Sequence, residues 1–289
     1  MARTQTTRTP LTPSPNPLPL FPFPPNTQPI HRSGPSAVAY HIPDTPPTPS
    51  HPIPKTTISL PRHSHWTSGL HFHTAHTEYL HLLRGAIWLH LDGSDMMLSA
   101  AAGGEMYIGT GQRKPSGAGL VIEVPKYARH EWRRAENYYG VRRTIGVRYV
   151  KPADVDDEVV VEEWTNPADL GKPLFFWNLN GVIAGVVDDE VLSGAQRVVK
   201  KVLRSWWVEL QLFVVFWELD NWPVFVGLGG VLGGQSRLQK FAYRYVERSV
   251  EYFMTFVVLF AAKVLGWLIG IRAVEQRRTP GELWRAYNR

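Results

Sequence analysis

Residue types that hold metal ions recur within one short stretch of the chain. His71-Phe72-His73 is followed, after four residues, by Glu78 and, after six more, by Gly85. Two histidines separated by one residue project from the same face of a strand, because side chains alternate with period two. Glu78 comes after a short excursion and begins the next strand, so its carboxylate can swing toward the same centre. Gly85 permits the tight turn that brings the chain back. Two imidazoles and a carboxylate converging from one side leave positions open for substrate or O₂, the logic of a catalytic metal site. Further on, Gly119 is followed after five residues by Pro125 and then by His130. A strand ending in a proline turn would deliver His130 as a fourth ligand from a neighbouring strand.

Composition narrows the chemistry. The 289 residues include no cysteine, which excludes a disulfide scaffold, thiolate-bound zinc, iron–sulfur clusters and cysteine catalysis. Any metal must therefore be held by imidazole and carboxylate. That set suits Fe(II), Mn(II) or Zn(II) and does not choose among them. All 11 histidines lie at or before His130, and 17 of the 24 prolines lie in residues 1–61. The net charge of +6 is also unevenly spread: residues 62–193 are net acidic and residues 194–289 net basic. Such segregation indicates an arm, a folded core and a basic tail.

The arm, residues 1–60, is so rich in proline that neither helix nor central strand is expected, and a disordered or polyproline-like segment follows. Prolines 10, 13, 15, 17 and 19 forbid the amphipathic helix of a mitochondrial presequence, and no apolar run suits a secretory signal. From about His65 short alternating runs begin. His81–Leu83 and Ala86–Leu91 read as two strands joined at Arg84-Gly85 and closed by Asp92-Gly93. Glu105–Ile108, Gly119–Val124, Glu131–Arg133 and Thr144–Tyr149 are further strand candidates, and this spacing indicates a sandwich or barrel. An acidic strand is expected over Val155–Trp164, leading to a capped helix.

The two motifs together resemble those of the cupin superfamily, G-x5-H-x-H-x3–4-E-x6-G and G-x5-P-x-G-x2-H-x3-N. The likeness covers roughly Pro61–Lys151. The sequence departs from it at His65 and Tyr127, where glycine is usual, and at Arg134, where asparagine is usual. With the stretch after the motifs, the chain is also similar to the small cupin-domain oxidoreductases of fungal polyketide gene clusters. The resemblance implies a mainly β, jelly-roll β-barrel over residues 61–192. It also implies one divalent metal, iron foremost with Mn, Zn or Ni as alternatives, on His71, His73, Glu78 and His130. Glu78 or His76 would move protons, and Phe72, Tyr79, Trp88 and Trp132 would line an apolar substrate pocket. His81, out of register with Glu78, is expected outside the site.

Residues 193–289 read as helical. Val198, Val199, Val202, Leu203, Trp206, Trp207, Leu210 and Phe213 recur at helical intervals, and Tyr252–Ile271 is long and apolar enough to cross a bilayer. The basic tail would attract anionic headgroups, so lipid is the expected partner and membrane association the expected location, with the barrel cytosolic and not secreted. Buried helices covering the barrel are the alternative. No nucleic-acid module appears. Self-association is left open. The functional expectation is an Fe(II) oxidoreductase or dioxygenase acting on a small aromatic or polyketide-like metabolite. An isomerase, cyclase or decarboxylase using the same Lewis acid, or a non-catalytic membrane-tethered binding module, are the rivals.

Overall fold

A computed structural model describes residues 23–106, 113–114, 119–135, 158–185, 192–227 and 237–289. It is mainly antiparallel β with helices toward the C-terminus. The larger sheet contains β1 (Thr27–Arg32), β2 (Val38–Pro43), β3 (Thr56–Leu60), β5 (Thr77–Arg84), β8 (Gly104–Met106), β9 (Arg113–Lys114), β10 (Leu120–Val124) and β12 (Val159–Asn166). Its order is β1-β2-β3-β12-β5-β10-β8-β9, with β10 and β8 the parallel pair. The smaller sheet contains β4 (His71–Phe72), β6 (Ala86–Leu91), β7 (Ser94–Ser99), β11 (His130–Arg134) and β13 (Trp222–Pro223), in the order β13-β4-β11-β6-β7. Among the described residues no strand pairing joins the two sheets, so the expected closed barrel is here an open two-sheet arrangement.

Alternation sets the inward faces. Leu80 and Leu82 of β5, Ile122 of β10, Val159 and Val161 of β12, and Ile58 and Leu60 of β3 are all buried. From the other sheet come Ile87, Leu89, Leu91 and Trp132. Each large aliphatic side chain buried in this way contributes about 1.5–3 kcal/mol. Gly85, between β5 and β6, has φ +77°, and a Cβ there would lie 2.6 Å from the Glu158 carbonyl oxygen. Only glycine fits that turn.

Two expectations need correction. The proline-rich arm does not extend to residue 60: β1, β2 and β3 fall within it, and β2 and β3 are wholly buried. Proline is tolerated there because it avoids the ladder. Pro29 sits on β1, which pairs only with β2, Pro43 ends β2, and Pro46, Pro47, Pro49, Pro52 and Pro54 occupy the connection to β3. Residues 1–22 of the arm and the Thr144–Tyr149 strand candidate lie outside the described residues.

The helices are also no separate domain. They comprise α1 (Gly171–Ile183), α2 (Gly194–Leu203), α3 (Trp206–Glu218), α4 (Arg237–Ile269) and α5 (Gly281–Tyr287). Phe175 and Phe176 of α1 and Trp207, Leu210, Val214 and Val215 of α3 share one core with the strands. Trp177 of α1 donates to the Pro43 carbonyl at 2.8 Å. After α3 the chain returns to the small sheet as β13, pairing with β4 beside His71. One helical stretch, Tyr245–Ile269, is long and apolar enough to cross a membrane. The helix ends at Ile269, short of the expected Ile271, where Gly270 takes φ +78°.

Candidate metal centre

β4, β5 and β11 bring the four motif ligands together from both sheets. His71 and His73 come from β4 and the residue after it, Glu78 from the start of β5, and His130 from the first position of β11, where it pairs directly with His71. All four are buried, and one ligand atom from each lies within 4.8 Å of the others. Donors around an ion with bonds of about 2.1 Å sit roughly 3–4.2 Å apart, so shifts of a few tenths of an ångström bring this cluster to those dimensions.

The hydrogen bonds fix the imidazoles. Nδ1 of His71 donates to the Gly69 carbonyl at 2.7 Å, Nδ1 of His130 donates to the Ala128 carbonyl at 3.0 Å, and Nδ1 of His73 donates to the Asp220 carbonyl. A carbonyl can only accept, so each Nδ1 carries the proton and each Nε2 presents a lone pair. Burial pushes the basicity of His71 and His73 down, which favours the neutral form that a metal requires. Nε2 of His73 is buried with no hydrogen-bond partner. Nε2 of His130 lies 2.6 Å from Oε2 of Glu78, and Nε2 of His73 lies 3.4 Å from the same oxygen. Three imidazoles and one carboxylate converging in a buried cluster are a donor set that suits a divalent metal, and these residues therefore fit one.

Glu78 is also ion-paired on its far side. Burial opposes its ionisation, but the Lys172 ammonium outweighs that and holds the carboxyl well below its usual range. Lys172 comes from the first turn of α1 and bonds Oε1 of Glu78, while lying 3.1 Å from Oε2 of Glu163 on β12. Trp132 donates Nε1 to the other Glu163 oxygen at 2.8 Å. Burial raises the Glu163 pKa. Neither Lys172 nor Glu163 was among the expected site residues. A signal for Glu163 was present, since Val159, Val161 and Glu163 share the buried face of β12. Lys172 reaches the site only through the docking of α1, which strand periodicity cannot show.

His76 occupies a different place from the expected proton carrier. Both ring nitrogens are taken: Nδ1 lies 2.8 Å from Asp220 and Nε2 3.0 Å from Asp169. These two carboxylates raise its pKa to about 9, so the ring is a cation in an acidic clamp. Asp220, just beyond α3, also accepts from the backbone of Thr74, Ala75 and His76 and from the Thr74 hydroxyl. The clamp ties the loop between His73 and Glu78 to the helical layer and thereby positions both ligands.

The four expected pocket aromatics scatter. Tyr79 stacks on Trp164 and Trp88 lies under Arg133, both on the outer faces of their strands and partly exposed. Phe72 is buried against Trp222 and Tyr252, on the side away from the ligands. Trp132 is in the core beside Trp66. A cavity of about 280 Å³ does adjoin the cluster, but its walls are Tyr40, Trp66, Phe175, Phe176, Leu179 and Phe216, with His71, Lys172, Glu163 and Arg32 as polar members. None of the four expected aromatics lines this cavity, because β2 and α1 build its apolar wall. His81 points outward to Glu162, as its register required.

One departure from the motif, Tyr127, resolves locally, and one of its glycines, Gly119, shows why it is needed. Tyr127 takes φ +61°, the conformation for which glycine is usual, and its N–H donates to the His73 carbonyl at 2.7 Å. Gly119 takes φ +89°, and a Cβ there would lie 2.6 Å from the Leu82 carbonyl.

No family model matches the chain, and no curated protein does. Solved structures similar to it include a predicted oxalate decarboxylase from Thermotoga maritima, at 15% identity. That likeness covers 48% of this chain and 91% of that one, with a TM-score of 0.28. A cupin-2 domain protein from Rhodospirillum rubrum is 11% identical over 53% of this chain and 78% of that one, with a TM-score of 0.30. An RmlC-like cupin from Shewanella frigidimarina is 13% identical over 52% and 93%, with a TM-score of 0.26. At these identities and scores the likenesses say nothing of activity, and the chemistry of the site must carry the functional reading.

Proposed function

We propose that the chain is a metal-dependent enzyme of cupin type, an Fe(II) oxidoreductase or dioxygenase acting on a small aromatic or polyketide-like molecule. The observation that carries the metal is the convergence of three Nε2 lone pairs and one carboxylate oxygen, with Nε2 of His73 otherwise orphaned beside an apolar cavity. A divalent ion there would supply Lewis acidity and, if iron, access to O₂. His71, His73, Glu78 and His130 hold it. Lys172 keeps Glu78 ionised, and the Asp169–His76–Asp220 clamp fixes the loop that carries the ligands. Phe175, Phe176 and Phe216 exclude water from the adjoining space. Turnover of candidate metabolites is compared in air and under strict anaerobiosis, in the wild type and in His71→Ala/His73→Ala. The oxidative reading expects turnover that needs both air and the histidines. Anaerobic turnover supports the rival isomerase, cyclase or decarboxylase. Ligand binding unaffected by the double variant, with no turnover, supports the binding module.

We further infer that the protein lies on a membrane surface. Glu251, Thr255, Leu259, Ala262 and Gly266 of α4 are buried, whereas Phe253, Val257, Phe260, Val264, Trp267 and Leu268 are exposed. Val198, Val202 and Trp206 are exposed on the neighbouring segment, whose Gln196 bonds the Gly270 carbonyl at 3.0 Å. An apolar face with tryptophans and nearby Lys200, Lys201 and Arg204 suits the headgroup region of anionic lipid. The buried stripe is held to the protein by Glu251 to Arg129, Thr255 to the Pro223 carbonyl and Gly266 against Val214. Spanning the bilayer would strip those contacts, so an interfacial helix is favoured over a span. Sedimentation with phosphatidylserine vesicles tests this. Binding lost in Trp267→Glu/Leu268→Glu is expected, and a dimer in solution with no vesicle binding would refute it.

A further inference from the structure

The cavity beside the metal centre carries two hydrogen-bond donors that the protein does not use. Arg32, at the end of β1, lines its wall. One guanidinium nitrogen of Arg32 donates to the Tyr40 hydroxyl, and its Nε is buried with no partner. Arg32 makes no ion pair among the described residues. Tyr40 is itself buried, and its oxygen accepts a second bond, from Nε1 of Trp66 at 2.8 Å. With both acceptor positions filled, the tyrosine proton remains to be donated, and no acceptor for it occurs among the described residues. A buried donor left unmet costs about 1–3 kcal/mol, more when charged, so a guanidinium lining this wall favours an acceptor placed beside it.

The acceptor must also suit its surroundings. Among the described residues, the one carboxylate lining this cavity is Glu163, which has both oxygens engaged, by Lys172 and by Trp132. It therefore leaves Arg32 unneutralised. Phe175, Phe176 and Phe216 give another part of the wall an apolar surface, while Thr67, Ser68, His71, Lys172 and Asn221 line the remainder. A planar guanidinium with an adjacent hydroxyl matches a carboxylate, which accepts two parallel bonds. The volume of about 280 Å³ is at the small end for ligand cavities, limiting the body to roughly one ring or a short alkyl chain.

We propose that Arg32 and Tyr40 form an anion subsite that binds the carboxylate of a small, otherwise apolar monocarboxylic acid, with its ring or chain lying against the α1 phenylalanines. The assignment deepens the proposed catalytic reading by naming a substrate class, and as a binding site it stands apart from the metal.

Benzoate, methyl benzoate and benzyl alcohol serve as probes, with binding read by quenching of tryptophan fluorescence and by calorimetry. Wild type should bind benzoate at least tenfold more tightly than either neutral probe. Arg32→Met should lose about tenfold to a hundredfold on benzoate, as expected for a charge-assisted bond, while its weak binding of methyl benzoate stays unchanged. Tyr40→Phe should lose a smaller factor. The contrast between benzoate and its ester in wild type needs no variant to fold. Equal binding of the two, or benzoate binding undiminished in a folded Arg32→Met protein, overturns the proposal. His71→Ala/His73→Ala separates the two readings: benzoate affinity surviving there shows the Arg32 subsite intact whatever the metal does. Affinity lost there but kept in Arg32→Met means the acid binds the metal, which overturns the subsite while leaving the metal reading standing.

Discussion

Replacing Lys172 with methionine removes the cation that pairs with both Glu78 and Glu163. The side chain is 6% exposed, and its ammonium bridges the two carboxylates. Methionine keeps the packing of the alkyl stem, so the change is chiefly electrostatic. Removing one partner of a buried pair costs about 3–5 kcal/mol, because the remaining charge is stranded. Here two carboxylates are stranded, and burial already raises the Glu163 pKa. A carboxyl whose folded pKa is raised stabilises the fold below its unfolded pKa and loses that contribution as pH rises through the folded pKa. The deficit of Lys172→Met should therefore be larger at pH 7.5 than at pH 5.5, because a raised Glu163 pKa favours uptake of a proton as pH falls. Bound metal should reduce the deficit, since it still neutralises Glu78. Urea unfolding of chelated and metal-loaded protein at both pH values measures this, and Lys172→Met/Glu163→Gln should recover much of the loss. A deficit below about 1 kcal/mol, flat in pH and indifferent to metal, would refute the linked-charge account.

Tyr127→Gly should raise stability by about 1 kcal/mol, because it relieves a left-handed tyrosine; thermal unfolding reads the gain, and a loss would show that the exposed ring packs more strongly than the strain costs. Gly85→Ala should cost at least about 2 kcal/mol through collision with the Glu158 carbonyl and a disfavoured φ, seen as a lowered urea midpoint. The His76 clamp contributes stability that is full below about pH 6.5 and fades as pH rises through about 9, since the folded pKa is raised. In His76→Gln, amide protection factors in the residue 74–77 loop should be lower at pH 7 and should not fall further toward pH 9 as they do in the wild type.

The convergence of the four candidate ligands was legible because period-two alternation and two glycine turns are local properties. His71, His73 and Glu78 lie within eight residues, and the turn at Gly85 is fixed by one φ value. What surrounds them was not legible, because it comes from distant chain. Lys172 arrives on α1, Asp220 beyond α3, and Arg32 and Tyr40 from the stretch whose prolines suggested an unfolded arm. Proline density is a sound argument against central ladder positions, but those prolines fall at strand ends, on an edge and in one connection. The aromatic pocket failed for a related reason. Tyr79 and Trp88 are close to the ligands in sequence yet alternate outward, while Phe175 and Phe176 are a hundred residues away in the chain and face the site. The apolar C-terminal stretch was read correctly as a helix, but composition alone could not show that a stripe through Glu251, Thr255 and Gly266 grips the protein.

The central claim is that His71, His73, Glu78 and His130 hold a divalent ion. Elemental analysis of the purified protein, stripped with chelator and reloaded with Fe(II) under anaerobic conditions, tests it most directly. One ion per chain in the wild type is expected, together with a loss of at least tenfold in affinity in His73→Ala, whose Nε2 is otherwise orphaned. Reconstituted protein that retains no stoichiometric Fe, Mn, Zn or Ni, or a His73→Ala variant that binds as the wild type does, would contradict it.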